Sequence, residues 1–268
     1  MTDRLVDRRY LTGVQYASDA NLSSRQAIYR YQQPPIRTSA WALDLAELAG
    51  DERVLDVGCG NGLHLGGLAR RAHRGEVHGM DFSPGMLEAA RSNAPSASLL
   101  VGDAQRLPFV DGSFDRVLAM HMLYHVPDRD LALSEIRRAL RPGGIALALT
   151  NSHRHLEELN RLLGGVLHDL VGAEPVAPRA YLRFSSESGA AELQHHFASV
   201  ERHDARSELA VTEVEPIVAY VASMGSVATP VRDDPGQVLR EVERRARALI
   251  EADGAFRIRT DVGCFVCR

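Results

Sequence analysis

Val54-Leu55-Asp56-Val57-Gly58-Cys59-Gly60-Asn61-Gly62 is the stretch whose reading decides the fold. Residues 53–57 (RVLDV) form a short apolar run that ends in glycines, which predicts a buried strand feeding a turn. Glycines at alternate positions 58, 60 and 62 let the backbone come close to a ligand where any side chain would stand in the way. The loop is not the dinucleotide fingerprint, which requires a glycine three positions after its second one; here that position is Leu63. Asp56 stands immediately before the loop. A carboxylate there would repel a pyrophosphate and suits a ligand carrying positive charge.

Outward from this loop, strand and helix alternate. Residues 63–73 carry helical spacing at Leu65, Leu68 and Ala69, and 76–80 (EVHGM) reads as a strand. Ser83 caps a helix that begins at Pro84 and runs through Met86, Leu87 and Ala90. Strands are predicted at 98–101, 114–120 and 145–150, with a helix at 128–140 stopped by Arg141-Pro142-Gly143-Gly144. Such alternation from 53 to 150 predicts an α/β fold with a doubly wound, Rossmann-like, mostly parallel sheet. Ligands of these sheets bind outside the carboxyl ends of the strands, so loops 56–62, 81–86, 102–105 and 120–125 should converge on one crevice.

Five stations in this order carry a resemblance. They are LDVGCGNG at 55–62, GMDFSPGML at 79–87, Gly102-Asp103-Ala104 with Leu107-Pro108-Phe109, Ser113-Phe114-Asp115, and Leu140-Arg141-Pro142-Gly143-Gly144. Together the chain resembles the class I S-adenosylmethionine-dependent methyltransferases, in the ubiquinone/menaquinone-type small-molecule branch. The resemblance implies a seven-stranded sheet, an N-terminal helical lid and a C-terminal helical insert. It also implies S-adenosyl-L-methionine as cofactor, with S-adenosyl-L-homocysteine as product. A metal-dependent catechol-type enzyme would need a carboxylate cluster near the fourth and fifth strands, but Asn151 and Ser152 follow Thr150, so no metal is expected. Asp81 would accept hydrogen bonds from the ribose hydroxyls, and Phe82 and Met86 would face the adenine. Asp103 would accept from the adenine amino group, beside the Ala104 amide. Gly58, Gly60 and Asn61 would line the methionine portion, with Asp56 supporting its ammonium. Read without the resemblance, Asp81 and Asp103 are simple helix caps.

The acceptor side is less legible. Methyl transfer is an in-line displacement in which alignment supplies much of the acceleration, and a base is needed only where the acceptor must lose a proton. His121, Tyr124 and His125 follow the predicted strand at 114–120, and Tyr16 lies in the aromatic N-terminal segment. His121, His125 and Tyr16 are the candidate bases; packing and backbone hydrogen bonding are the alternative for the histidines. Tyr10, Tyr16, Tyr29 and Tyr31 are four of the seven tyrosines, and they precede Pro34-Pro35, which ends the lid before a helix at 38–49. In relatives this region lies over the cofactor. Tyr16, Tyr29 and Tyr31 would wall an aromatic or cationic acceptor, and Arg25 or Arg30 would hold a carboxylate.

The whole chain reads as one methyltransferase domain, with a lid at 1–50, a cofactor core at 51–150 and the remaining sheet with a helical acceptor-side cap at 151–268. Residues 151–196 and 212–254 are mostly helical in pattern, with strands near 199–204 and 257–267 and a cap resembling the family's from Glu213-Val214-Glu215-Pro216. Histidines 153, 155, 195, 196 and 203 show no metal-ligand spacing and are expected on solvated helix surface. Cys264-x-x-Cys267 has no second pair to complete a zinc site and reads as apolar filler in a closing strand.

Composition excludes several classes. All 31 cations are arginine, so mechanisms that need a lysine amine are out. The net charge of −4 gives no basic excess for nucleic acid or an anionic membrane. No apolar run reaches membrane-span length and the first ten residues lack a signal core, which points to the cytoplasm. The expectation is methyl transfer to a small, flat acceptor such as a phenol or indole, on O, N or C; a homodimer is compatible with it. Two rivals are a nucleic-acid methyltransferase, which lacks its Asn/Asp-Pro-Pro-aromatic run here, and a non-catalytic cofactor-binding partner subunit.

Overall fold

The computed structural model describes residues 4–172, 183–224, 234 and 236–268. Parts of the two stretches expected to be helical, 173–182, 225–233 and 235, lie outside the described residues.

The chain opens with a short helix α1 (Arg8–Tyr10), a wide turn of π-helix over Leu11–Gln15, α2 (Ala20–Ala27) and a 3-10 turn over Ile28–Tyr31. β1 (Gln32–Gln33) and α3 (Thr38–Asp44) follow, then β2 (Val54–Val57), α4 (Leu63–Arg70), β3 (Val77–Asp81), α5 (Pro84–Asn93), β4 (Ser98–Val101) and β5 (Phe114–Met120). The second half runs α6 (Arg129–Ala139), β6 (Leu140–Asn151), α7 (Glu157–Val171), α8 (Gly189–Leu193), β7 (Val200–Val211), α9 (Glu215–Ala222), α10 (Gln237–Asp253) and β8 (Phe256–Cys267). The strands form one sheet in the order β1-β7-β8-β6-β5-β2-β3-β4. The pairs among β2 to β6 are parallel, whereas β8 is antiparallel to both β6 and β7.

Period-two alternation along the central strands explains why helices cover both faces. In β5, Val117 and Ala119 pack with Leu133 and Ile136 of α6, whereas Leu118 and Met120 point the other way, onto Leu43 of α3 and Leu68 of α4. The Ser83 hydroxyl accepts from the Met86 amide with Pro84 in the first turn, so α5 starts where its capping residue dictates. Asp128 caps α6 in the same way through the Leu131 amide. A separate apolar cluster joins α7, α9 and α10 to the far ends of β7 and β8 and takes in Ile28 of the lid. The cap therefore holds the lid as well as the sheet.

Three details differ from the sequence reading. The sheet has eight strands rather than seven, because Gln32 and Gln33, extended just before Pro34-Pro35, pair with Leu209 and Glu208. β6 begins at Leu140 instead of 145: the register shifts between Phe114 and Arg116, which absorbs Arg141–Gly144 as an irregularity within the strand. α3 ends at Asp44 rather than 49. Among the described residues no helix is long and apolar enough to cross a membrane.

Candidate active site

A cavity of about 910 Å³ opens at the carboxyl ends of β2, β3 and β5, where the switch from β2 to β5 makes a crevice. Its size is in the range of small-molecule sites. Gly58 (φ +69°) and Gly60 (φ +53°) both border it in left-handed conformation. A Cβ on Gly58 would come within 2.7 Å of the Met122 side chain, and one on Gly60 would stand 3.5 Å from Leu22 of the lid. The loop is thus glycine for two separate reasons: backbone conformation and a narrow cleft under the lid.

Asp81 ends β3 with its side chain on the cavity. One carboxylate oxygen accepts from the Gly60 amide (2.9 Å) and the other from the Ser83 amide (2.8 Å). A carboxylate offers about four lone-pair sites, so each oxygen keeps capacity for a further donor. Burial nevertheless pushes its pKa up, against the pull of these amides. Asn61, Phe82, Met86, Asp103 and Ala104 border the same cavity. Asp103 is no helix cap, since an isolated bridge to Arg106 follows it; its carboxylate accepts from the Gln105 amide and pairs with Arg8 at 3.7 Å.

Asp56 is placed differently from its neighbours. It is fully buried in β2, does not border the cavity, and neither carboxylate oxygen has a hydrogen-bond partner. Burial, reinforced by the nearby Asp81 charge, holds its pKa well above the ordinary carboxylate range. The folded protein therefore binds this proton more tightly than the unfolded chain, and stability falls as pH rises above the ordinary aspartate pKa of about 3.9. Asp56→Asn removes that dependence. The variant should melt above wild type at pH 7–8 and near it at pH 4, with each kcal/mol worth about 2–4 °C. Melting curves across that pH range check it, and a parallel decline in both proteins would refute it.

On the other wall, Tyr16, His121, Tyr124 and His125 meet. His125 Nδ1 lies 2.8 Å from the Leu5 carbonyl, which can only accept, so Nδ1 carries the proton and Nε2 is the acceptor. The Tyr16 hydroxyl therefore donates to His125 Nε2 at 2.9 Å. The lid residue and the histidine that follows β5, 109 positions apart in the chain, form one dyad. Tyr124 stacks edge-on to His125, and burial pushes its phenol pKa up. His121 follows β5 with φ +55°, and burial lowers its pKa to about 4.

The lid is tied to the glycine-loop side of the crevice. The Ser83 hydroxyl donates to the Tyr16 carbonyl (2.6 Å), Asn61 donates to the Gln26 side chain (3.3 Å), and the Ala17 carbonyl crowds the Cα of Gly85. Arg30, a candidate for holding a carboxylate, is exposed and already paired with Glu213 and Tyr31. Tyr29 reaches His155 Nε2 at 2.9 Å. The expectation that His155 lies on solvated surface is wrong: it is buried, its Nδ1 accepts from the Asp261 amide, and it borders the cavity. His203 sits on β7 rather than on a helix. Sequence reasoning also missed His64, bonded to Ser39, and Tyr220 of α9, both on the cavity wall; the single aromatic in the apolar run after Pro216 was the only available hint of the latter. Cys264 and Cys267 are buried and free, as expected of filler.

Residues 55–148 match the methyltransferase domain family. This segment is a methyltransferase domain. The match covers the glycine loop, Asp81, Asp103 and both candidate histidines. Methyltransferase GfsG of Streptomyces halstedii is 40% identical over 104 residues, 37% of this chain and 37% of that protein. Demethylmenaquinone methyltransferase of Staphylococcus aureus is 42% identical over 104 residues, 37% of this chain and 43% of that protein. This chain spans 31% to 43% of the length of such curated relatives. The YcgJ protein of Bacillus subtilis shares the fold over 87% of this chain and 99% of its own, with a TM-score of 0.56 at 20% identity.

Proposed function

We propose that the protein transfers a methyl group from S-adenosylmethionine to a small, flat acceptor. The observation that carries this reading is Asp81: a carboxylate at the end of β3, facing the cavity, with lone pairs to spare beside two left-handed glycines. Those are the requirements of a nucleoside diol next to a close backbone approach. Asp81 would hold the ribose, Phe82 and Met86 the adenine faces, and Asp103 with the Ala104 amide the adenine edge. Gly58, Gly60 and Asn61 would border the methionine chain. Asp56 does not reach the cavity and holds its proton in the free protein; a cationic ligand in front of it would favour its ionised form and be supported by it from behind.

When bound, the cofactor supplies an electrophilic methyl group already activated by its sulfonium. The chain's own residues then align the acceptor and remove water. Tyr16 and His125 take up a proton from the acceptor: His125 Nε2 draws the phenolic proton, leaving the Tyr16 oxygen to accept the next one. We rank His121 behind this dyad, because an imidazole with a pKa near 4 is a poor proton acceptor at neutral pH. The lid ties described above narrow the cavity to small acceptors and favour them over a nucleic-acid strand. The acidic balance supports the same choice.

Calorimetric titration with S-adenosylhomocysteine tests the reading. Wild type should bind, and Asp81→Ala should bind at least about tenfold more weakly, because hydrogen bonds to a charged acceptor contribute about 1.5–3 kcal/mol each. Equal affinity in a folded Asp81→Ala protein would remove this carboxylate from the site. Methyl-labelled S-adenosylmethionine incubated with a panel of phenols and indoles, followed by mass spectrometry, then tests transfer itself.

A further inference from the structure

The glycine loop and the Tyr16–His125 dyad do not account for Arg25. Arg25, on α2, borders the cavity. Its Nε donates to the Asn21 carbonyl one turn back (3.2 Å), and its guanidinium carbon stands 5.5 Å from the centre of the Tyr16 ring. Nη2 is buried and has no hydrogen-bond partner. The groups whose charge bears on it are phenols, those of Tyr16, Tyr124 and Tyr220, drawn from the lid, the loop after β5 and α9. Among the described residues no carboxylate hydrogen-bonds or ion-pairs with it. The cavity carboxylates are engaged elsewhere, Asp81 with two amides and Asp103 with Arg8.

A guanidinium stays charged at any working pH, and taking it out of water is costly unless an anion and hydrogen bonds compensate. Here the cation–π contact with Tyr16 compensates in part. The phenols whose charge would bear on the guanidinium are neutral at neutral pH, and Nη2 has no hydrogen-bond partner. An anion from outside the chain would complete the arrangement. Carboxylates match the planar guanidinium fork best, and the surrounding phenol rings favour a flat body attached to the carboxylate.

We infer that the acceptor is an aromatic carboxylic acid, held through its carboxylate by Arg25 with its ring among Tyr16, Tyr124 and Tyr220. The inference rests on the reading of the cavity as a small-acceptor site. Arg25 binds and orients the acceptor, so that the proton to be lost faces the Tyr16 hydroxyl rather than Arg25.

The test compares matched pairs: benzoate with benzamide, 4-hydroxybenzoate with 4-hydroxybenzamide, and indole-3-acetate with indole-3-acetamide. Each is titrated into wild type, Arg25→Gln and Arg25→Lys proteins saturated with S-adenosylhomocysteine. At least one acid should bind wild type about tenfold or more tightly than its amide, as a charge-assisted hydrogen bond provides. Arg25→Gln should erase that preference while its S-adenosylhomocysteine affinity reports an intact fold, and Arg25→Lys should keep part of it. No acid preferred over its amide, including no binding at all, overturns the inference; so does a preference that survives in Arg25→Gln. Should Arg25→Gln fail to fold, the wild-type comparison and Arg25→Lys decide. Should S-adenosylhomocysteine fail to bind wild type, the methyl-transfer reading falls, and the acid–amide comparison repeated without it still judges Arg25.

Discussion

In Gly60→Val, S-adenosylhomocysteine no longer raises the melting temperature, although the protein still folds. Two effects add. Gly60 has φ +53°, a conformation that a β-branched residue adopts only under strain. A side chain growing from it enters the cleft between the loop and Leu22, whose Cδ2 is 3.5 Å from the position of the first added carbon. That cleft is where the ligand's methionine portion would lie. Gly60 is partly exposed and its added carbon meets no backbone atom, so the fold should absorb the change. The loss of affinity should reach at least about 100-fold, or roughly 2.7 kcal/mol. Gly60→Ala, with one carbon and the same backbone strain, should fall between the two. A ligand-induced shift equal to wild type in Gly60→Val would show that the ligand does not use this loop.

Disrupting the dyad should have the larger effect on turnover. With an acceptor that must lose a proton, His125→Asn and Tyr16→Phe should each slow methyl transfer by about 10²–10⁴-fold, the ordinary worth of a general base. Because the two groups share one hydrogen bond, the double variant should be little worse than either single one. S-adenosylhomocysteine affinity should stay within a few-fold of wild type, since neither side chain is among the proposed cofactor contacts. The pH–rate profile separates chemistry from packing: a base leaves a falling acid limb in wild type that the variants lack. Packing alone would instead lower the melting temperature and leave the profile's shape unchanged. If both single variants keep near-wild-type turnover, alignment by itself carries the reaction. His121→Asn, at a group already held near pKa 4, should leave the profile's shape unchanged.

What could be read from the sequence was what lies close together along it. The glycine loop, the acid that ends β3 and the Ser83-Pro84 start of α5 are each a few consecutive residues whose types state a backbone geometry. Alternation of strand and helix then orders the sheet, because parallel connections leave few topologies. The acceptor wall has no such local code. Tyr16 meets His125 across 109 positions, and Tyr29 meets His155 across 126. No spacing rule links those pairs, and a buried histidine reads the same as an exposed one until its partner is placed. The Arg141–Gly144 segment misled for a different reason: proline and glycines normally stop a strand, but a register shift lets them ride within β6. Arg25 and Arg30 were equivalent in sequence. Only the fold shows that Glu213 reaches one and phenols surround the other.

The ties between the lid and the cofactor side have a kinetic meaning. Tyr16 is held through its carbonyl by Ser83 at the start of α5, Gln26 by Asn61 beside the glycine loop, and Leu22 covers Gly60. If a nucleoside-sized cofactor enters beneath the lid, these ties would have to let go, and the same movement would carry off Tyr16 and Arg25, two walls of the proposed acceptor pocket. One gate would then serve both ligands. The acceptor pocket would be whole only once that gate had closed, so the cofactor would have to arrive first. An acceptor lodged against the closed gate would in turn delay departure of the spent cofactor.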